Sequence, residues 1–266
     1  MMDLESQNIP AVPVLPAGTV LHDNYRICCT VSADTQSIIY EAQDSTGHTQ
    51  YIREYCPVSI AVRTGTALSC EETQETTFQE GGRQFAKIGK TLRRGVPHIV
   101  PVTDFFSEND TSYIVSDVPI GTPLSGLSAS LAPIYIQNLG VMLCDTFVAL
   151  HAAGLYYGPI HDADLCFSEE GELLLSALPV TTDGTVVGDV HALRMFLRSL
   201  LPDKESDDPT DMRLRKALSA GCRDADVLQK ALLGEKIQTR QHSGILGLVL
   251  CLICLTAAIV GVQLLP

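Results

Sequence analysis

Short runs of β-branched and aromatic residues, separated by turn residues, dominate the chain after residue 18. Three of these runs come first, at 25–31, 37–42 and 49–55. The segments between them, Ser32–Asp34 and Asp44–Gly47, consist of residues that favour chain reversal. This pattern predicts three antiparallel strands.

One amphipathic helix and two more strands are predicted next. The runs 98–106 and 111–116 flank a polar turn at 107–110, which predicts a hairpin. Before them, Gly81–Arg94 has apolar residues at helical spacing, with Lys and Arg between them: Phe85, Ile88 and Leu92. The first half is therefore predicted as β-β-β-α-β-β, a five-stranded antiparallel sheet with one helix.

The second half of the chain changes to a helical period. Residues 133–153 place apolar side chains on one face, and Gly154 follows as a residue that commonly ends helices. The other predicted elements are a strand pair and two helical segments, at 164–167, 172–175, 189–201 and 212–233. The predicted fold class is α+β, with a mainly helical second half.

The last segment has a different character. No Asp, Glu, Lys or Arg occurs from Gln241 to Pro266, and Gly244–Val262 is apolar apart from Thr256. About twenty such residues span a hydrocarbon core of about 30 Å. We predict a transmembrane helix over 243–264. The start of the chain carries no signal-peptide pattern, and basic residues lie before the apolar run, so we expect a single-pass protein with its N-terminus in the cytoplasm.

Charge and cysteine content narrow the function classes. The chain has 31 acidic and 18 basic side chains, a net charge of −13. Neutralising phosphates needs a basic surface, so we expect no nucleic-acid partner. The nine cysteines are an odd number and are scattered along the chain. In a reducing compartment they are expected to act as small apolar residues rather than as a disulfide scaffold.

Several short sequence motifs resemble those of bacterial Ser/Thr protein kinases. Leu15–Leu21 resembles the segment that leads into their first strand, and Tyr51–Pro57 resembles the "IKEYFP" signature of their third strand. Val96–Val100 resembles "HPNIV", and Asn109–Val115 resembles "NGTAYIV". These motifs follow one another in the family's order and spacing.

The resemblance continues to about residue 200. Gly121 matches the glycine after the hinge, Leu150–Gly154 matches the end of the long C-lobe helix, and Gly188–Leu193 resembles the start of the next buried helix. It implies a two-lobed protein-kinase-like fold with a shortened C-lobe. The implied organisation is a flexible arm at 1–17, an N-lobe at 18–124, a C-lobe at 125–235, a juxtamembrane segment at 236–242 and the transmembrane helix at 243–264.

The positions that carry catalysis in this family are altered here. Phosphoryl transfer uses a glycine-rich turn, a lysine–glutamate ion pair, a catalytic Asp and two metal-binding residues. The turn falls on Ser32–Ser37, where no glycine occurs and Asp34 adds a negative charge. The other family positions fall on Arg53 for the lysine, Ile88 for the glutamate, Pro159 for the catalytic Asp, Asp164 for the metal-binding Asn and Ala177 for the magnesium Asp.

These losses indicate a pseudokinase without catalytic residues, resident metal or cofactor. In addition, only twelve positions separate Ala177 from Asp189, too few for an ordinary activation segment. Two alternatives stay open for Arg53: an ion pair with Glu54, Asp117 or another carboxylate, or contact with a nucleotide such as ATP. Asp117 is the second nucleotide candidate.

Three further residues have expected roles. Asp164 remains a candidate magnesium ligand, because a carboxylate binds that ion well. The resemblance implies that Asp189 caps backbone amides of the former catalytic loop. His151 is expected to be a hydrogen-bonded core residue.

The function predicted is that of a membrane-anchored cytoplasmic pseudokinase, a scaffold or allosteric regulator of a protein partner such as an active kinase or an envelope complex. The alternative is an atypical Ser/Thr protein kinase or ATP-binding switch that uses Arg53 and Asp164 in rearranged roles. A third possibility is a decaying paralogue with little function.

Overall fold

Alternating burial along the first strands builds the N-terminal lobe. In strand 37–43, Ile38, Tyr40 and Ala42 are buried while the residues between them are partly exposed. The structure is a computed structural model, and it describes residues 13–118, 121–124, 131–168, 171–202, 204 and 207–235. The chain divides into two units, 1–234 and 235–266, and every element named below lies in the first.

The N-lobe is an antiparallel sheet. Its strands are β1 (Val20–Leu21), β2 (Tyr25–Ala33), β3 (Ser37–Gln43), β4 (Thr49–Tyr55), β7 (Val102–Glu108) and β8 (Thr111–Asp117). Their order across the sheet is β1-β2-β3-β4-β8-β7. The five predicted strands are present, but the prediction of a five-stranded sheet is wrong by one, because the two-residue β1 adds an edge strand.

A second, two-stranded sheet was not predicted. It consists of β5 (Ala61–Thr64) and β6 (Ala67–Cys70), joined at Gly65, whose φ is 62°. Leu68 is its one fully buried apolar side chain. Alternation over four residues with a single buried position is too weak a pattern to detect from the sequence.

The single helix of the N-lobe, α1, spans Glu75–Leu92 and begins six residues before the predicted Gly81. Its buried residues all lie in the second half: Phe85, Ile88, Gly89 and Leu92. Apart from the half-buried Phe78, the first turns are polar and largely exposed, so hydrophobic spacing does not show them.

The C-lobe is mainly helical. Its helices are α2 (Pro133–Ala152), α3 (Val186–Ser199), α4 (Pro209–Ser219) and α5 (Ala225–Leu233). A three-stranded sheet joins β9 (Thr122–Pro123), β10 (Leu165–Phe167) and β11 (Leu173–Leu175). The helical period predicted over 212–233 is two helices rather than one, since α4 ends at Ser219 and Gly221 lies in the link between them.

Two hydrophobic clusters form the core. One fills the N-lobe between its sheet and the β5–β6 hairpin. The other fills the C-lobe and continues into the N-lobe through Tyr55, Phe85, Ile88 and Leu92. The two lobes therefore share apolar packing along α1.

The last residues of the arm expected at 1–17 pack against the N-lobe. Leu15 is only 2% exposed, and its backbone N–H donates a 3.0 Å hydrogen bond to the Tyr40 hydroxyl. The residues from Pro13 onward therefore belong to the N-lobe.

One helix among the described residues, α2, is long and apolar enough to cross a membrane. Half of its most apolar stretch is buried within the domain, which is also typical of a core helix. The predicted transmembrane helix at 243–264, and the juxtamembrane segment before it, lie outside the described residues.

Candidate functional site

The turn between β2 and β3 is held by Asp34. One carboxylate oxygen accepts hydrogen bonds of 2.7 Å from the backbone N–H groups of Gln36 and Ser37, and the other accepts 2.9 Å from the Ser37 hydroxyl. Asp side chains commonly close turns in this way. The Asp34 charge therefore has a structural use within the β2–β3 turn itself.

Arg53 lies in β4 with only 8% of its surface exposed. Its Nε donates to the Ser37 hydroxyl at 3.0 Å, and its Nη1 donates to the Val180 carbonyl oxygen at 2.8 Å. The guanidinium also lies over the Phe85 ring, 5.5 Å from its centroid. Arg53 thus links the β2–β3 turn, α1 and the C-lobe.

The expected ion pair between Arg53 and a carboxylate is wrong for the described residues, because no Asp or Glu oxygen among them lies within 4.0 Å of its guanidinium. Burial lowers the pKa of Arg53, and the nearby Asp34 charge opposes this shift. The side chain is a buried cation held by neutral oxygens and an aromatic face.

Glu54 turns to the opposite side of the sheet. It is fully buried and accepts hydrogen bonds from Tyr40 at 2.7 Å, from Tyr113 at 2.9 Å and from Arg63 at 2.6 Å. Arg63 also donates to the Pro13 carbonyl at 2.6 Å. Burial and the Glu54 charge raise the pKa of both tyrosines. This Glu54 cluster anchors the N-terminal residues and leaves Arg53 without that partner.

The face of α1 toward Arg53 is largely uncharged. Ile88, the position that resembles the family glutamate, is buried beside Phe85, and both line the same cavity as Arg53. An isoleucine cannot pair with the guanidinium, and Phe85 supplies the contact that is made instead. A cation over an aromatic ring is stabilised by about 0.5–2 kcal/mol.

The segment between Ala177 and α3 crosses the cleft directly. The backbones of Tyr156 and Thr181 exchange two hydrogen bonds of 2.8 and 2.9 Å. The Thr182 hydroxyl then donates to the Gln84 side chain at 3.2 Å, and Val180, just before these contacts, is fully buried. The shortness of the segment has a structural consequence: it packs on the N-lobe instead of forming a separate loop.

Asp189 at the start of α3 holds the loop whose position in the sequence resembles the catalytic loop of kinases. Its carboxylate accepts 2.9 Å hydrogen bonds from the backbone N–H groups of Tyr157 and Gly158. The same carboxylate is 2.9 Å from Nε2 of His151. The expected capping role of Asp189 and the expected core role of His151 are both confirmed. Pro159, the next residue of the loop, is exposed.

Asp164 is used locally. Its carboxylate accepts a 2.9 Å hydrogen bond from the backbone N–H of His161, and burial raises its pKa although that hydrogen bond opposes the shift. Ala177 is buried and has no group that could bind a metal. In the part of the chain that the structure describes, no cluster of three or more His, Cys, Asp or Glu could hold a metal ion.

The two nucleotide candidates are not brought together. In the pairing of β4 with β8, Arg53 stands opposite Ile114 and Gln50 stands opposite Asp117. Three residues along a strand correspond to about 10 Å. The Gln50 amide donates to Asp117 at 3.3 Å, which gives this carboxylate a partner within the sheet.

A cavity of about 640 Å³ opens beside Arg53. Its walls are the first four turns of α1, the end of β4, the β2–β3 turn and the segment 181–183. Sequence reasoning located Arg53 and Ile88 but missed the other main lining residues, Gln36, Tyr55, Gln84, Phe85 and Thr182. Helical spacing from Ile88 is the one signal that marks Gln84, since the two are four residues apart.

The fold has a solved counterpart. The structure described as "PpkA-294 apo form", a fragment of the bacterial Ser/Thr kinase PpkA, matches with a TM-score of 0.53 over 82% of this chain and 92% of that chain. This chain has a protein-kinase-like fold. The two sequences are 21% identical, a level at which the likeness concerns the fold alone.

No protein-family model matches the chain, and no curated protein matches its sequence. Arg53 lies in β4, the strand that the sequence motifs predicted at 49–55, and α1 is the helix beside it. The Val180 carbonyl and the Phe85 ring are the contacts that the sequence motifs did not indicate.

Proposed function

We propose that the chain is a catalytically inactive kinase-like protein that acts as a scaffold or allosteric regulator of a protein partner. The observation that carries this proposal is the hydrogen bond from Arg53 to the Val180 carbonyl. The side chain at the position of the phosphate-binding lysine is engaged in holding the lobes together.

The surroundings of Arg53 support the same conclusion. A nucleotide triphosphate needs backbone N–H groups and cations around its phosphates. Here the N–H groups of Gln36 and Ser37 bond to the Asp34 carboxylate. The ion-pair position on α1 holds apolar side chains, and the loop proline Pro159 has no side chain that could accept a proton. Losing groups that each contribute several powers of ten in rate leaves no effective phosphoryl transfer.

The proposal includes a membrane anchor at residues 243–264, with the kinase-like domain on the cytoplasmic side. A tether of this kind raises the local concentration of partners in the same membrane. A related active kinase or an envelope-associated complex is the class of partner that we propose. Both lobes keep broad surfaces that a catalytically inactive protein can use for binding.

The nucleotide test uses the full chain in neutral-lipid nanodiscs, titrated with ATP and Mg²⁺ while the melting temperature is followed. We expect a shift below about 1 °C, whereas an active Ser/Thr kinase under the same conditions shifts by several degrees. A shift of that size here, or phosphate transfer that disappears in Asp164→Ala, would favour the enzyme alternative and overturn the proposal.

The partner test is proximity labelling of the full chain in its own membrane, with a matched chain that ends at residue 242. We expect labelled partners that depend on the anchor. An unchanged labelling pattern after removal of residues 243–266 would contradict the role of the membrane tether.

A further inference from the structure

Arg53 is a buried cation that has no carboxylate partner among the described residues. A charge taken out of water is costly unless it is paired. Of the five N–H donors of the guanidinium, one on Nε and one on Nη1 are used, by the Ser37 hydroxyl and the Val180 carbonyl. Three donors remain, including both on Nη2.

The Arg53 side chain, which carries these remaining donors, lines the cavity. No side-chain nitrogen or oxygen among the described residues is both fully buried and without a hydrogen bond. Nη2 donates none there, so it retains accessible surface, and Arg53 is one of the residues that line the 640 Å³ cavity. The free donors on Nη2 are therefore available to a ligand that enters this open cavity.

The cavity has the size and lining of a small-molecule site. Ligand pockets of about 300–1,000 Å³ combine an apolar wall with a few convergent polar groups. Here Phe85, Tyr55 and Ile88 form the apolar wall, and the amides of Gln36 and Gln84 supply donors and acceptors. Thr182 contacts Gln84 at the edge.

The charges around the cavity select the ligand class. Glu80 at the rim lies 3.0 Å from Arg83 and is paired, whereas Asp183 is an exposed acid on the other side. Asp34 places another negative charge close to Arg53. One guanidinium surrounded by these acids can balance a single negative charge, and a polyanion would be repelled. A planar carboxylate fits the fork of an arginine better than other monoanions.

We propose that this cavity binds a small organic molecule through one carboxylate, which pairs with the free donors of Arg53 while its apolar part lies against Phe85 and Tyr55. This site is additional to the proposed scaffold function. It gives the kinase-like domain a means of responding to a carboxylate metabolite, because a ligand there would contact α1, β4 and the segment 181–183 together.

The test uses benzoate as the probe, with the full chain in neutral-lipid nanodiscs and empty nanodiscs as the blank. Binding is measured by saturation-transfer NMR and by titration. Benzamide is the neutral control of the same shape, and phenylphosphonate is the dianion control. We expect benzoate to bind at least tenfold more tightly than either control, and to weaken as salt is added.

Two variants locate the site. Arg53→Lys keeps the positive charge but removes the paired N–H donors of the guanidinium. We therefore expect about tenfold weaker benzoate binding. Thr77 is exposed and lines the cavity from α1, so Thr77→Tyr fills the space while the fold is retained. We expect it to abolish benzoate binding at an unchanged melting temperature.

Three outcomes would overturn the inference. They are equal binding of benzoate and benzamide, unchanged benzoate binding in a folded Thr77→Tyr variant, and tighter binding of phenylphosphonate than of benzoate. Failure of the ATP titration described above leaves this inference standing, so the two proposals can fail separately.

Discussion

The carboxylate of Asp189 lies 2.9 Å from Nε2 of His151, and both side chains are almost completely buried. The same carboxylate accepts hydrogen bonds from the backbone N–H groups of Tyr157 and Gly158. The loop that contains Tyr157 and Gly158 is thus held in place from the start of α3.

We predict that Asp189→Asn destabilises the domain by about 3 kcal/mol, because an amide offers one acceptor oxygen where two or three donors converge. That corresponds to a melting temperature lower by about 6–12 °C for a domain of this size. Circular dichroism is the suitable measurement, since the chain has no tryptophan. The exposed Asp162→Asn should change stability by less than about 0.5 kcal/mol. Equal melting of the two variants would contradict the assignment.

The Glu54 cluster provides a second prediction. Glu54→Gln removes the charge that Arg63 pairs with inside the N-lobe, and we expect a loss of about 3–5 kcal/mol because a buried cation is left uncompensated. The matched control is Glu80→Gln, which breaks an exposed pair with Arg83 and should cost at most about 1 kcal/mol. Thermal unfolding measures both, and a cost for Glu54→Gln no greater than the control's is the result that counts against the cluster.

Two adjacent glycines of α1 form a third, internally controlled prediction. A Cβ at Gly81 would collide with the Tyr55 hydroxyl, which donates to the Phe78 carbonyl at 2.8 Å. A Cβ at Gly82 would make an ordinary 3.6 Å contact with the same ring. We expect Gly81→Ala to cost about 1–3 kcal/mol.

Gly82→Ala should instead be neutral or stabilise by up to about 1 kcal/mol, because alanine favours helix more than glycine does. Unfolding free energies of the two variants provide the comparison. If both alanines stabilise the domain equally, Tyr55 does not lie under α1 as described.

The fourth prediction concerns alkaline pH. Burial raises the pKa of Tyr40, Tyr113 and Tyr157 above the ordinary value of 10.0, with Glu54 adding to the shift for the first two. The folded state then holds protons that the unfolded state releases above about pH 10. This contribution to stability is complete below pH 10 and is lost as the pH rises toward the folded-state values.

A tyrosinate absorbance titration, run beside circular dichroism, measures this effect. We expect some of the eight tyrosines to ionise early and the buried ones to ionise only together with unfolding. Ionisation of all eight while the circular dichroism signal is unchanged would contradict the buried hydrogen bonds to Glu54.

Sequence reasoning predicted the regular elements that have a clear period. The strands β2, β3, β4, β7 and β8 were found because they are runs of β-branched and aromatic residues between turn residues, and the second half of α1 was found because its buried residues recur every three to four positions. The β5–β6 hairpin and the polar first turns of α1 were missed, since neither buries enough apolar residues to leave a pattern. The break between α4 and α5 was missed because their apolar spacing continues across the link.

The capping role of Asp189 was also expected from the sequence, through the motifs that resemble kinases. The partner of Arg53 was not, because Val180 lies 127 residues away and contributes only a backbone carbonyl, which every residue has.

The sequence by itself determined the α+β class and the order of the main strands and helices. These follow from local periodicity and from the turn residues between the elements. Only the tertiary structure decided that Glu54 pairs with Arg63 on one side of the sheet, while Arg53 turns to Val180, Phe85 and the cavity on the other. The physical reason is that pairing depends on which face of a strand a side chain takes, and on chain segments far apart in sequence.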